Sequence, residues 1–103
     1  MPSLEKLFVY GTLKKPEIQE KVIGRKIKGL SATLADWRKS EIVVNGHTYH
    51  ILIPDAKSSI SGKIIEITES ELKLIDAYET ESYLRIKIDI EGLKEVWIYV
   101  KPQ

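Results

Sequence analysis

The sequence contains no cysteine, which removes disulfides, thiolate-held zinc, iron–sulfur clusters and thiol nucleophiles from the chemistry open to it. An excess of charge of one sign is also lacking. Sixteen Lys and Arg side chains against fifteen Asp and Glu leave a formal net charge of +1, so no global field draws the molecule to nucleic acid or to an anionic membrane. Long apolar runs are absent too. The opening stretch MPSLEKLFVYGTL is too interrupted for the core of a signal peptide, and no segment has the roughly 20 apolar residues that span a bilayer. The expectation is a soluble, cytoplasmic protein.

What is present is enough for one core. With 103 residues, 43% hydrophobic and 30% charged, and no repeat, linker or low-complexity tract, residues 1–103 are expected to form a single domain. Abundant Lys, Glu and Ile with a single Met fit a heat-adapted source.

Leu7 to Tyr10 is a short apolar, β-prone run closed by Gly11, the pattern of a mostly buried first strand ending in a tight loop. A short helix follows, with Pro16 in its first turn, Ile18 and Val22 on one side and Gly24 as its C-terminal cap. Lys28 to Trp37 alternates as a strand with Leu30, Ala32 and Leu34 on one face. Asn45-Gly46, between Glu41–Val44 and His47–Ile53, marks a two-residue hairpin turn, since both positions need positive φ. Pro54 to Ser59 is turn-like, Ser61 to Ile67 is a further strand, and Thr68 with Glu71 forms a capping box for a second helix running to Tyr78 or Glu79. Leu84, Ile86, Ile88 and Ile90 then alternate with Tyr83, Arg85, Lys87 and Asp89, and Val96 to Val100 is the last strand, ended by Pro102. About six strands and two short helices imply an α+β fold whose mixed, mostly antiparallel sheet curls toward a small barrel and hides its edges.

Helical phase singles out one carboxylate. Glu79 lies seven residues after Leu72 and four after Ile75, so a continued helix carries it onto the face that packs on the sheet. A carboxylate there pairs with a cation, accepts hydrogen bonds, or takes up a proton with a raised pKa, which suits a general acid/base. Alternatively the helix frays at Tyr78 and Glu79 turns to solvent. Glu81, past the helix end, points the other way and is expected to be solvated.

Other candidates carry less. His47 and His50 have HxxH spacing, but in a strand that offset puts them on opposite faces, so no metal site is expected. Gly11-Thr12 sits between a strand and a helix start, where free N–H groups suit a carboxylate or oxyanion, but on its own the dipeptide reads first as a plain strand-to-helix turn. Neither GxxxxGK[ST] nor GxGxxG occurs. Tyr83 and Arg85 share the polar side of their strand, where a solvated face is the alternative to a site. Trp37, Tyr49, Trp97 and Tyr99 are expected in the core, with no basic–aromatic interleaving of the kind that binds RNA or single-stranded DNA.

Three segments together resemble the γ-glutamylcyclotransferase-like family, which includes plant avirulence-induced proteins and amine-type cyclotransferases. They are VYGTL (Val9 to Leu13), Ser61 to Ile67 (SGKIIEI) backed by VWIYV, and Leu74-Ile75-Asp76-Ala77-Tyr78-Glu79 followed by Tyr83 and Arg85, similar to the pattern L-D-x-[YF]-E-x-x-x-Y-x-R. The resemblance implies a small mixed barrel flanked by helices, Glu79 as catalytic acid/base, and Tyr10, Gly11, Thr12 and Leu13 as the loop whose amides hold the glutamyl or oxoproline end of the ligand. It adds Tyr83 and Arg85 to the substrate-binding set and requires no cofactor and no metal.

The implied reaction is an intramolecular aminolysis releasing 5-oxoproline from a small-molecule γ-glutamyl amine or γ-glutamyl amino acid, with no nucleic-acid or membrane partner, by a monomer or small homo-oligomer. Three departures stand out: Thr80 follows the Glu where many members carry a small residue such as Gly, Ile75-Asp76 replaces the commoner Leu-Asp, and Tyr49 to Pro54 reads YHILIP, with the proline of the family's aromatic-proline element delayed. Two other function classes stay open on this sequence. One is a binding module that keeps the pocket and holds a small carboxylate without turnover; the other is a purely structural barrel with Glu79 exposed or salt-bridged.

Overall fold

The computed structural model describes residues 4–80 and 83–100, without the side chains of Val44 and Tyr49. Glu81 and Pro102 therefore lie outside the described residues. The chain runs β1 (Glu5–Val9), a single 3₁₀ turn (Thr12–Lys14), α1 (Pro16–Ile23), β2 (Leu30–Val44), β3 (His47–Ile67), α2 (Glu69–Glu79), β4 (Leu84–Ile90) and β5 (Leu93–Val100).

The apolar run at the start of the chain is explained by its place in the sheet. The strand order is β2-β3-β1-β5-β4, so β1 is central, antiparallel to β3 and parallel to β5. A central strand covered on both sides reads as continuously apolar. Alternation sends Phe8 and Tyr10 into one buried cluster and Leu7 and Val9 into another.

The second cluster lies under the helices. Ile18 and Val22 of α1 and Leu72 and Ile75 of α2 pack there with Leu13, Ile65, Ile67 and Tyr99. Helix ends follow their caps. Pro16 occupies the first turn of α1, and Gly24, at φ 80°, closes it with its N–H on the Glu20 carbonyl. At α2 the Thr68 hydroxyl accepts from Glu71 N, while the Glu71 carboxylate accepts from Thr68 N. Glu71 also takes both ends of the Arg25 guanidinium at 2.6 and 2.8 Å, and that pairing with Arg25 holds its carboxyl down at about 2.

The first cluster is enclosed by the sheet itself. Ala32 and Leu34 of β2 share it with Ile86, Ile88 and Ile90 of β4, although these strands are the two opposite edges. The sheet therefore curls. Its hydrogen-bond ladder stays open, but the Thr33 N–H donates to the Glu91 carboxylate at 3.1 Å across the seam. Curling needs close approach at one point: a Cβ on Gly62 would lie 2.5 Å from the Val9 carbonyl oxygen and 2.6 Å from the Phe8 ring, a position only glycine fits.

Expected and observed elements differ mainly in continuity. The strands anticipated at 28–37 and 41–44 are one strand, β2, and those on either side of Pro54 to Ser59 are one strand, β3, so the sheet has five continuous strands. The turn chemistry is still there, folded into a bulge. Ala35 pairs with Ser59 and Trp37 with Pro54, leaving residues 55–58 opposite Asp36 alone. Asp36 takes φ 69° there, and Asp55 accepts from Lys57 N and the Ser58 hydroxyl.

The hairpin at Asn45-Gly46 has φ 52° and 79° as anticipated, and Glu91-Gly92 turns β4 into β5 with φ 48° and 85°. Leu30 and Leu84, placed on apolar faces by alternation, are exposed at their strand starts. Of the aromatic residues expected in the core, Tyr99 is buried, whereas Trp37 and Trp97 are half-buried at the margins of the two clusters. No helix among the described residues is long and apolar enough to cross a membrane.

Candidate active site

The helix that places Glu79 does not fray before it. α2 runs through Glu79, with Leu72 and Ile75 fully buried on the same face, so the carboxylate continues an apolar stripe. Glu79 is half-buried, and loss of solvent there pushes its carboxyl up to about 7. The next residue stops the helix. Thr80 has φ 64° and ψ −171°, a conformation that glycine adopts with far less strain.

Glu79 opens onto a half-open cavity of about 60 Å³ lined by Phe8 to Leu13, His50, Glu79, Tyr83 and Tyr99. At 10–15 Å³ for each water-sized group, roughly four such groups fit, enough for one end of a small ligand with the remainder outside. Of the residues selected from sequence, Tyr10, Gly11, Thr12, Leu13, Tyr83 and Glu79 all border this space.

The loop is held from three sides. The Tyr10 phenol is buried and donates to the Tyr99 carbonyl at 2.6 Å; its pKa is pushed up, first by burial and then by Tyr83 and Glu79 nearby. Thr12 Oγ1 lies 2.8 Å from the Tyr78 hydroxyl, tying the loop to α2. The Leu13 carbonyl accepts from Gln19 Nε2 at 2.8 Å. Gln19 is 1% exposed, and its other amide end accepts from Ile27 N at 2.8 Å, so both ends of this buried side chain are used. Lys14 N and Lys15 N bond back to the Gly11 and Thr12 carbonyls. The 3₁₀ turn therefore starts at Thr12, and its first N–H groups have no acceptor within the turn.

Arg85 does not border this cavity. Its guanidinium takes both oxygens of Asp76 at 2.9 Å and lies 4.0 Å from the centroid of the Trp97 ring. Asp76 also accepts from the Tyr99 hydroxyl at 2.6 Å, so Arg85, Asp76 and Tyr99 join α2 to β4 and β5. A second, shallower depression of about 330 Å³ lies there, and Tyr83 and Tyr99 form the wall between the two spaces.

Three participants had no role from sequence. Gln19 sits in the middle of a short helix, where nothing in its type marks it as buried. Asp76 was visible only as part of a matched segment. His50 is on β3, opposite Glu41 in register, on the opposite face of its strand from His47. Alternation assigns that face and says nothing of the loop that meets it. Among the described residues no group of three His, Asp or Glu side chains is placed to hold a metal ion.

Residues 7–103 match the family described as γ-glutamyl cyclotransferase, AIG2-like. AIG2-like proteins C and D of Arabidopsis thaliana are 32% identical over 85 residues and 30% identical over 89, covering 82% and 85% of this chain. The chain spans 48% and 57% of their lengths, about half of the relatives it matches. A solution structure from Arabidopsis thaliana superposes with a TM-score of 0.79 at 28% identity, covering 96% of this chain and 69% of that one. A structure named γ-glutamyl cyclotransferase shares the fold, with a TM-score of 0.74 at 14% identity over 97% of this chain and 68% of that one. With the family match spanning nearly the whole sequence, this chain belongs to the γ-glutamyl cyclotransferase, AIG2-like family.

Proposed function

We propose that the protein is a γ-glutamyl cyclotransferase, converting a γ-glutamyl amine or γ-glutamyl amino acid into 5-oxoproline and a free amine. The observation that carries this reading is that Glu79 and the Gly11 to Leu13 loop line one cavity. A carboxyl group and the start of a 3₁₀ turn thus border one small space, which supports a reading with an acid/base group beside N–H donors.

In this reading Glu79 removes a proton from the α-ammonium group, and the freed amine attacks the side-chain carbonyl. A carboxyl held near 7 by desolvation is matched to that task at neutral pH. The N–H groups of the loop stabilise the oxyanion that develops on the carbonyl oxygen. The C–N bond to the leaving amine breaks as that nitrogen is protonated, closing the five-membered lactam. No cofactor enters. The substrate is a small molecule rather than a nucleic acid or membrane, and the protein acts in the cytoplasm as a monomer or small homo-oligomer.

The test is 5-oxoproline release across a panel of γ-glutamyl amines and γ-glutamyl amino acids, for the protein and for Glu79→Gln. Turnover by the protein and its near-abolition in the variant are expected. Binding without turnover across the panel would instead make the cavity a carboxylate-binding module.

A further inference from the structure

The cavity holds a second titratable side chain. His50 borders it together with Glu79. Among the described residues, His50 Nδ1 is the buried side-chain nitrogen or oxygen atom without a hydrogen-bond partner, a state that is costly unless something satisfies it. Glu41 faces His50 across the β2–β3 pair, and its Oε1 lies 3.6 Å from Nδ1. That is beyond a hydrogen bond, but Glu41 is 61% exposed and free to swing in, and contacts of this kind often tighten only when ligand is bound. The same face of β2 reaches the loop directly, for Lys39 Nζ lies 3.5 Å from the Tyr10 carbonyl.

We propose that His50, with Nδ1–H donated to Glu41, carries a proton from the cyclising nitrogen to the leaving nitrogen. The proposal rests on the cyclotransferase reading and extends it. A carboxylate on Nδ1 fixes the tautomer that leaves the lone pair of Nε2 free to take a proton.

The proton balance is complete without any other reactant. Glu79 takes one proton from the α-ammonium, and the amine adds to the carbonyl carbon, placing an electron pair on oxygen and a positive charge on the ring nitrogen. Nε2 of neutral His50 accepts a proton from that nitrogen. The imidazolium then donates it to the leaving nitrogen as the C–N bond breaks and the oxygen pair re-forms the carbonyl. Glu79 returns its proton to the departing amine. Glu79 thus handles the first and last proton, and His50 the one exchanged between the two nitrogens.

The experiment compares two substrates that differ in the leaving group, a γ-glutamyl alkylamide and γ-glutamyl-p-nitroanilide, on the protein, His50→Gln and Glu41→Gln. An aniline bearing a nitro group departs with much less help from protonation than an alkylamine. His50→Gln is expected to lose about 10²-fold more kcat on the alkylamide than on the anilide, and Glu41→Gln to show a smaller loss with the same preference. Equal losses on both substrates in both variants, or no loss on the alkylamide, overturn the proposal while the cyclotransferase reading stands. If the unsubstituted protein releases 5-oxoproline from neither substrate nor from the wider panel, that reading falls and this proposal with it. Glu41→Gln, at an exposed position, supplies the comparison should His50→Gln fold poorly.

Discussion

Thr12 Oγ1 and the Tyr78 hydroxyl lie 2.8 Å apart, which joins the loop on one side of the cavity to the helix end on the other, one residue before Glu79. Tyr78 is 42% exposed, so the bond contributes little to stability, on the order of 0.5–1 kcal/mol. Its effect is on the spacing between loop and acid. Tyr78→Phe is expected to lower the melting temperature by no more than a few degrees and to raise KM several-fold for γ-glutamyl substrates, measured by steady-state 5-oxoproline release.

In the proposed reaction Glu79 makes opposite demands on stability and activity. Its carboxyl titrates near 7 in the folded chain and near 4.5 when solvated. Between those values the unfolded chain has lost its proton and the folded chain keeps it, so rising pH removes stability until about 7 and no further. At roughly 1.4 kcal/mol per unit, and allowing for partial exposure, the loss is about 2–3 kcal/mol. Glu79→Gln, which cannot ionise, is expected to match the parent in stability near pH 4 and exceed it by that amount at pH 8, in denaturant unfolding. Activity runs the other way, rising through pH 7 as the carboxylate forms and falling about 10²–10⁴-fold in the variant.

Thr80 follows Glu79 at φ 64° and ψ −171°, where a β-branched residue is strained by about 1–3 kcal/mol. Thr80→Gly removes the strain and adds freedom to the unfolded chain. A net gain of up to about 1 kcal/mol is expected in chemical denaturation.

Gly62→Ala should act in the opposite sense. The new methyl group meets a backbone carbonyl at 2.5 Å, which cannot move as a side chain end could. A loss of about 1–3 kcal/mol is expected from thermal unfolding, because β1 and β3 must separate at the point where the sheet curls.

Arg85 separates a positioning role from a binding one. Since it grips Asp76 outside the cavity, Arg85→Met should lower stability by only about 1 kcal/mol, because the partly exposed Asp76 carboxylate keeps the Tyr99 hydroxyl. Its KM for γ-glutamyl substrates should change no more than that of other variants equally destabilised.

The features legible in the sequence were those set by local rules. Leu72, Ile75 and Glu79 fall in phase because a helix has 3.6 residues per turn, and Asn45-Gly46 turns because both positions accept positive φ. Thr68 and Glu71 cap one another for the same local reason. What stayed hidden depends on contacts between distant segments. His50 borders the cavity because its strand face meets the loop, Gln19 is buried because two backbone groups converge on it, and Arg85, although singled out, stands outside the cavity because Asp76 of α2 takes its guanidinium. Residues 54–59 carried a true turn signal, but pairing on both sides of it kept the strand continuous, so one bulge replaced an expected break. Loop and acid were recognisable from the matched segments; the second titratable group was not.

The parallel pairing of β1 with β5, Lys6 beside Val96 and Leu7 beside Trp97, with the Tyr10 phenol on the Tyr99 carbonyl, fixes when a pocket can exist. Residues 8–13 form one side of the cavity, and Tyr99, which closes the other, stands 89 residues after Tyr10. The cavity is complete only where β5 lies against β1, so a ligand bound in it would report on that pairing. Its stabilisation, RT ln(1 + [L]/Kd), would be shared by both strands. Saturating ligand should slow hydrogen exchange in β1 and β5 together.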